Sequence, residues 1–360
     1  NANVYEDLNS SKNSDKYEYI LPNIMYGKTF FSENFGALDF KTNAIHTNYE
    51  TNKNKSFLYN DIIWSPASNI TKKGFINTLQ GMIRNTNYVA RKTGEYKDED
   101  SVNEISGVLS YKSSLPMKKD GLNYSNLISP NFMIRYAPGH MRDLSSKDIT
   151  LDLSNLYSLN KTSEIEGGLS AIAGFDFKIN ENETNKEKLS ISIGQVFSDR
   201  ENSDIPSRSS LDQKTSDVVG EINYNFSEIG KIDYKFSLDH SMDDINYNNI
   251  STNLDFGKIQ FNLDYLEQRN HIGKDHYASS GITLNFDEKS SLGFSTKRNF
   301  KTESTELYNL NYQYASDCLT AGILYRREFY DDVDDLKPKN SLMFTITFVP
   351  FSSVSSPSLK

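Results

Sequence analysis

The sequence predicts an all-β, antiparallel chain that spans a membrane as a large outer-membrane β-barrel region. Two observations carry this prediction. About eighteen segments, mostly some ten to fifteen residues long, alternate apolar and polar residues with a period of two. No run approaches the roughly eighteen apolar residues that a transmembrane helix needs, whereas a barrel strand crosses with about ten. Composition agrees: asparagine, serine and tyrosine recur while alanine is scarce, which disfavours helices and favours strands joined by polar turns.

The segments follow one another in regular order. Ile149, Leu151 and Leu153 alternate with Thr150, Asp152 and Ser154. Leu169, Ala171, Ala173, Phe175, Phe177 and Ile179 form one parity of the next strand, opposite Ser170, Gly174, Asp176 and Lys178; Ile172 interrupts the polar side. Leu189, Ile191 and Ile193 alternate with Ser190, Ser192 and Gly194. Ile232, Tyr234, Phe236 and Leu238 alternate with Asp233, Lys235, Ser237 and Asp239. The last segment sets Leu342, Phe344, Ile346 and Phe348 against Met343, Thr345, Thr347 and Val349. Turn signals separate the segments, among them Glu228-Ile229-Gly230-Lys231, Phe256-Gly257-Lys258 and Asp287-Glu288-Lys289-Ser290. Tyr224 and Phe226, Tyr312 and Tyr314, and Phe348 and Phe351 stand near strand ends, where interfacial girdles place aromatic rings. A soluble sandwich also alternates, but its strands run nearer five or six residues and it rarely needs so many long ones.

Residues 1–351 therefore read as barrel region and residues 352–360 as a polar tail. The absence of an initiator methionine and of a signal peptide predicts either a removed leader or the C-terminal part of a longer chain. The net charge of -9 and the lack of a basic block exclude nucleic acid as a partner.

With the final strand ending at the periplasmic face, the run Asp331-Asp332-Val333-Asp334-Asp335, the stretch from Asp199 to Asp217 and the stretch from Glu267 to His276 fall outside the cell. The turns at Gly230 and Gly257 fall in the periplasm, giving the expected asymmetry of long outer and short inner connections. The same count puts Cys318, the single cysteine, in the periplasmic turn Ala315-Ser316-Asp317-Cys318. A free thiol, a buried apolar side chain and half of a disulfide are the open readings, and the turn position in an oxidising compartment favours pairing over burial.

Signs of catalysis are few. His271 and His276 lack the spacing of a helical zinc site and read as solvated loop residues. No G-x-S-x-G elbow occurs. The Asp331–Asp335 run lacks an EF-hand's glycine and terminal glutamate, so it reads as a solvated acidic loop rather than a cation site. Arg326 and Arg327 stand on opposite faces of one strand, and the one on the lumen-facing parity either meets a phosphate or pairs with an acidic neighbour across the barrel. No enzyme, cofactor or metal site is expected.

The C-terminal run Asp317-Cys318-Leu319-Thr320-Ala321-Gly322-Ile323-Leu324-Tyr325-Arg326-Arg327-Glu328-Phe329, followed by Asn340 to Phe348, resembles the end of the LPS-assembly family LptD, also called organic solvent tolerance proteins. Tyr19-Ile20-Leu21-Pro22, Leu127-Ile128-Ser129-Pro130, Ile134-Arg135-Tyr136-Ala137-Pro138-Gly139, Leu151-Asp152-Leu153-Ser154-Asn155-Leu156-Tyr157 and Ile165-Glu166-Gly167-Gly168-Leu169 continue the likeness. Gly194-Gln195-Val196-Phe197 and Ser216-Asp217-Val218-Val219-Gly220 follow in the same order. The order of these runs is the specific part, and the likeness is nearest to alphaproteobacterial members.

The resemblance implies an outer-membrane translocon that receives lipopolysaccharide from periplasmic bridge proteins and releases it sideways into the outer leaflet. It also implies an LptE-like plug lipoprotein, an N-terminal jelly roll and first barrel strands that this chain lacks, and a disulfide from Cys318 to that N-terminal domain. Family members carry two adjacent cysteines where this sequence has Asp317 and Cys318, so one bridge is implied rather than two. Leu342, Phe344, Ile346 and Phe348 would lie on the strand bordering the lateral gate. Asp152, Asp176, Lys178, Asn223, Asp233 and Lys235 are the candidate lumen-facing residues, suited to a sugar and phosphate head group. Parting of the seam is the costly step, because ladder hydrogen bonds in lipid have no water to replace them. A passive porin or substrate-gated receptor is the alternative, and an outer-membrane phospholipase a third class.

Overall fold

Residues 1–6, 16–93, 101–139, 141–162, 164–226, 228–330, 337–348 and 352–355 are described by a computed structural model. Strands dominate it. The first are β1 (Asn3–Glu6), β2 (Tyr17–Ser32), β3 (Gly36–Tyr49), β4 (Asn54–Ser65), β5 (Asn69–Ile70), β6 (Ile76–Arg91) and β7 (Val102–Ser114). Then come β8 (Met117–Asp120), β9 (Tyr124–Ala137), β10 (Gly168–Glu181), β11 (Glu187–Ser198), β12 (Val218–Asn225), β13 (Gly230–Leu238) and β14 (Ile245–Asp255). The chain closes with β15 (Ile259–Gln268), β16 (His276–Asn285), β17 (Ser290–Asn299), β18 (Ser304–Ala315), β19 (Leu319–Tyr330), β20 (Lys337–Phe348) and β21 (Ser352–Ser355). One 3₁₀ turn at Ser207–Ser209 is the sole helical element among the described residues, and no helix there is long and apolar enough to cross a membrane.

The pairing is antiparallel throughout the ladders of known register, and sequence neighbours pair. The chain divides into two compact units, residues 1–117, 129–175 and 194–216, and residues 118–128, 176–193 and 217–360.

In the first unit, register sets two unlike faces. Ile62 lies opposite Ile83 on the next strand, and Tyr111 opposite Ile134. Ile62, Ile83, Leu109, Ile134 and Tyr136 all expose their side chains on one face. The other face carries Phe57, Met82, Tyr88, Val108, Met133 and Arg135, all buried. What buries them is the long connection between β9 and β10. Ile165 packs with Met82, Val108 and Ala137, and Leu159 joins them. Lys112 stands 4.2 Å over the Tyr157 ring. Ile172, the residue that breaks the polar parity of its strand, is fully buried for the same reason: its face is covered.

The second unit is an up-and-down meander from β12 to β20. Tyr312, Phe294, Ile282 and Phe261 share one face through successive registers, and Asn311, Gly293, Thr283 and Gln260 begin the other. Tyr224, Phe256, Phe286, Tyr314 and Phe348 are exposed at the short-turn ends of these strands; Tyr224, Tyr314 and Phe348 are among the aromatic residues expected near strand ends, and Phe351 lies outside the described residues. Gly257, at φ +80°, makes one of those turns possible, and its N–H donates to Asp255 Oδ1 at 2.7 Å.

Three sequence expectations change. Residues 149–153 form no strand: Asp152 instead accepts bonds from the Ser154 N–H and the Asn155 N–H, at 2.8 and 3.2 Å, in a tight turn. Asp, Ser and Asn offer the backbone such local partners and compete with a ladder. The expected polar tail contains β21, which pairs Ser352 with Phe348 and Ser355 with Thr345. Finally, β1, β5, β8 and β21 are far shorter than membrane strands.

Candidate functional site

The covered face of the first unit concentrates charge. The Arg84 guanidinium, on β6, donates twice to the Asp61 carboxylate of β4, at 2.7 and 2.8 Å. Its remaining nitrogen reaches Glu164 Oε2 at 3.3 Å. Arg142 donates to Glu104 of β7 at 2.7 Å and to Glu164 Oε1 at 3.2 Å. Glu164 thus sits between two arginines, with the Tyr59 hydroxyl donating from 3.3 Å. Burial works against the Arg142 charge, but the carboxylates of Glu104 and Glu164 more than offset it and raise its pKa. Arg142 also lies 4.9 Å from the Tyr88 ring centroid, a cation–π contact.

Deeper on the same face, Arg135 anchors the connection to the sheet. Its Nε donates to the Leu159 carbonyl at 2.5 Å and Nη1 to the Glu166 carbonyl at 2.8 Å, while Nη2 lies 3.1 Å from Glu166 Oε2. Glu166 Oε1 accepts from the backbone N–H groups of Lys161 and Thr162, at 2.6 and 2.5 Å. Removing one member of so buried a pair leaves an uncompensated charge, costing about 3–5 kcal/mol. Beside it, burial pushes the Lys161 ammonium down to about 8, against the pull of Glu166 and with the repulsion of Arg135.

Of these residues Arg135 and Glu166 come from the runs that carry the family likeness, whereas Arg84, Arg142, Glu164 and Lys161 lie outside them. Arg135, Leu156, Glu166 and Gly194 belong to four separate stretches, and the fold joins them in pairs: Arg135 bonds Glu166, and a Cβ at Gly194 would overlap the Leu156 side chain. Periodicity alone did not single them out.

Five of the six expected lumen residues stand on the polar parity of their strands. Asp176 accepts from Ser192 Oγ at 2.6 Å, and Lys178 pairs with Glu187 at 2.7 Å. Asn223 faces Asp233 in register, and Lys235 faces Glu221. Asn223 donates to Ser190 Oγ at 3.2 Å, and Asp233 pairs with Lys231 at 2.7 Å. Asp152 does not join them; it stands in the turn already described. Arg326, on the polar parity, pairs with Glu328, 3.1 Å away on its own strand rather than across the barrel as expected. Arg327 lies on the opposite face, 4.9 Å over the Phe329 ring.

Among the expected gate residues, Leu342 faces Tyr325 and Phe344 faces Ile323. Phe344, Ile346 and Phe348 are exposed. Cys318 is a free, exposed thiol in the turn between β18 and β19. The acidic run Asp331–Asp335 lies outside the described residues. The loop histidines are not simply solvated. His276 Nε2 lies 3.0 Å from the Tyr265 hydroxyl, and His271 Nε2 lies 3.1 Å from the buried Asp217 carboxylate. Asp217 also accepts from Ser237 Oγ and Asn246 Nδ2, at 2.8 and 2.9 Å. A bulge beside Ser237 leaves Asn246 outside the ladder register.

An antiparallel sheet with one exposed apolar face and one polar, charged face defines a membrane-spanning β protein. Residues 1–287 match the family LptD, LPS transport system D, and the chain belongs to that family. It is therefore an outer-membrane β-barrel protein of lipopolysaccharide transport, and its role is to move a cargo rather than to transform one. No curated protein matches the chain. Solved structures that are similar include two mutant forms of the porin of Rhodopseudomonas blastica, each 13% identical, with 78% of this chain and 92% of the porin covered and a TM-score of 0.32.

Proposed function

We propose that this chain inserts lipopolysaccharide into the outer leaflet of a Gram-negative outer membrane through a lateral opening bordered by β20. The two-faced sheet carries this reading. A polar face with ion pairs spaced along it suits a sugar and phosphate head group, and an apolar face meets the lipid that receives the acyl chains. Within the described residues β21 pairs only with positions 345–348 of β20, so the length from Lys337 to Phe344 is left for a seam strand. The residues Asp176, Lys178, Asn223, Asp233 and Lys235 line the head-group route in this reading.

Periplasmic bridge proteins deliver the cargo, an LptE-like lipoprotein plugs the barrel, and Cys318 forms a disulfide to a periplasmic domain outside this sequence. Depletion of the full-length protein tests the role: lipopolysaccharide should disappear from the cell surface and accumulate inside it. Unchanged surface lipopolysaccharide, together with single-channel conductance by the purified protein in a planar bilayer, would instead establish the porin.

A further inference from the structure

A recess on the covered face of the first unit has no role in the fold beyond its walls. Lys161, Arg135 and Glu166 form its floor, and Asp199, Arg200 and Asn202 its rim. The charges of Arg135 and Glu166 offset each other across 3.1 Å, although Arg135 Nη2 finds no hydrogen-bond acceptor among the described residues. That leaves the Lys161 charge. Its side chain is buried, with only 6% of the residue exposed. The single hydrogen bond found for its ammonium among the described residues is a long one, 3.5 Å to the Ser158 carbonyl. The floor therefore carries one uncompensated positive charge, in a place where a lone charge is expensive. At the rim, Asp199 is engaged through Oδ1 with the Leu169 N–H at 3.2 Å, and Arg200 is exposed.

We propose that this recess is a binding site for a phosphate-type oxyanion, held end-on by Lys161 with Arg200 at its mouth. Size limits how it binds. The recess offers about 30 Å³ of water-sized space, roughly two water positions. One or two anionic oxygens enter, and the rest of the group stays in the open mouth. A free phosphate ion and a phosphate carried on a lipid head group share this chemistry. The phosphate of a transported glycolipid becomes a candidate occupant on the transport reading given above; the site itself stands on the charge and shape of the recess.

The test uses the full-length protein in detergent micelles near pH 8, with an amine-acylating reagent and mass-spectrometric readout of each lysine. Inorganic phosphate should slow acylation of Lys161 at least about fivefold and leave exposed lysines such as Lys118 unchanged. Phosphorylated lipid A should do the same if the head group is an occupant, and its dephosphorylated form should not. Arg200→Ala, at an exposed position, should keep the fold and weaken the phosphate effect several-fold. Lys161→Met should abolish phosphate-dependent thermal stabilisation. Protection by phosphate without protection by lipid A still supports the site and assigns it to the free ion. Protection by neither, or equal protection by chloride at the same ionic strength, overturns it. Surface lipopolysaccharide after depletion reports on the transport reading separately, so the two can fail independently.

Discussion

Leu156 fills the space that a side chain at position 194 would need: a Cβ on Gly194 would overlap its Cδ2 and come within 3.2 Å of the Ala173 carbonyl oxygen. One leucine from the β9–β10 connection is thus seated on a strand through a missing side chain. Gly194→Val should force that connection off β11 and destabilise the fold by about 1–3 kcal/mol, the usual cost of overpacking. Gly194→Ala should cost less. The transition from folded to heat-denatured mobility on gels should fall in temperature in that order; a valine variant as stable as the parent would show that Leu156 moves away freely.

Lys161 makes stability depend on pH. Its folded pKa is about 8 against 10.5 when unfolded. Below pH 8 both states hold the proton, and burial of the charge opposes folding by about 3 kcal/mol. Between pH 8 and pH 10.5 the folded state has released a proton that the unfolded state still binds, so this contribution to stability rises with pH. Lys161→Met should remove that rise and raise stability at pH 7 in phosphate-free buffer. Denaturant midpoints across pH 7 to 10 measure it; parallel profiles for the two proteins would count against the buried charge.

The strands were legible because each face has a uniform environment over its length. Leu189, Ile191 and Ile193 meet one medium, so period two is written directly into the residue types. The same signal misleads at Ile149, Leu151 and Leu153, where Leu151 is buried without a strand and Asp152 closes a local turn. Ile172 looked like an error in an alternating strand and is instead the mark of a covered face. The Arg135–Glu166 pair joins residues 31 apart, a distance that periodicity cannot register. Its only trace in the sequence was that both residues stood in runs resembling the family, each charged and next to an apolar residue.

Asp217 ties three connections together. Its Oδ2 accepts from Ser237 and Asn246 and lies 3.1 Å from His271 Nε2; these residues belong to β13, β14 and the segment before β16. Asp217→Ala leaves those donors without an acceptor in a buried place, at about 1–3 kcal/mol for the group left unsatisfied. Amide hydrogen exchange should quicken at the ends of β13 and β14 and in residues 269–275. The short-turn ends of the same strands should stay protected, since their ladders are untouched. Uniform loss of protection along the strands would mean that Asp217 supports the whole sheet rather than its loop ends.

Cys318 separates a tethered barrel from a free one. The thiol is exposed in a turn, one residue before β19, where Ser316 N–H donates to the Leu319 carbonyl at 2.7 Å. That bond closes the turn and leaves the thiol exposed. In the full-length protein from an oxidising periplasm, Cys318 should be oxidised, and mobility on gels should change with reductant. Cys318→Ser should give the reduced mobility under both conditions and leave the ladder between β18 and β19 intact. Identical migration of the parent with and without reductant, with Cys318 alkylated quantitatively in the native protein, would sink the tether.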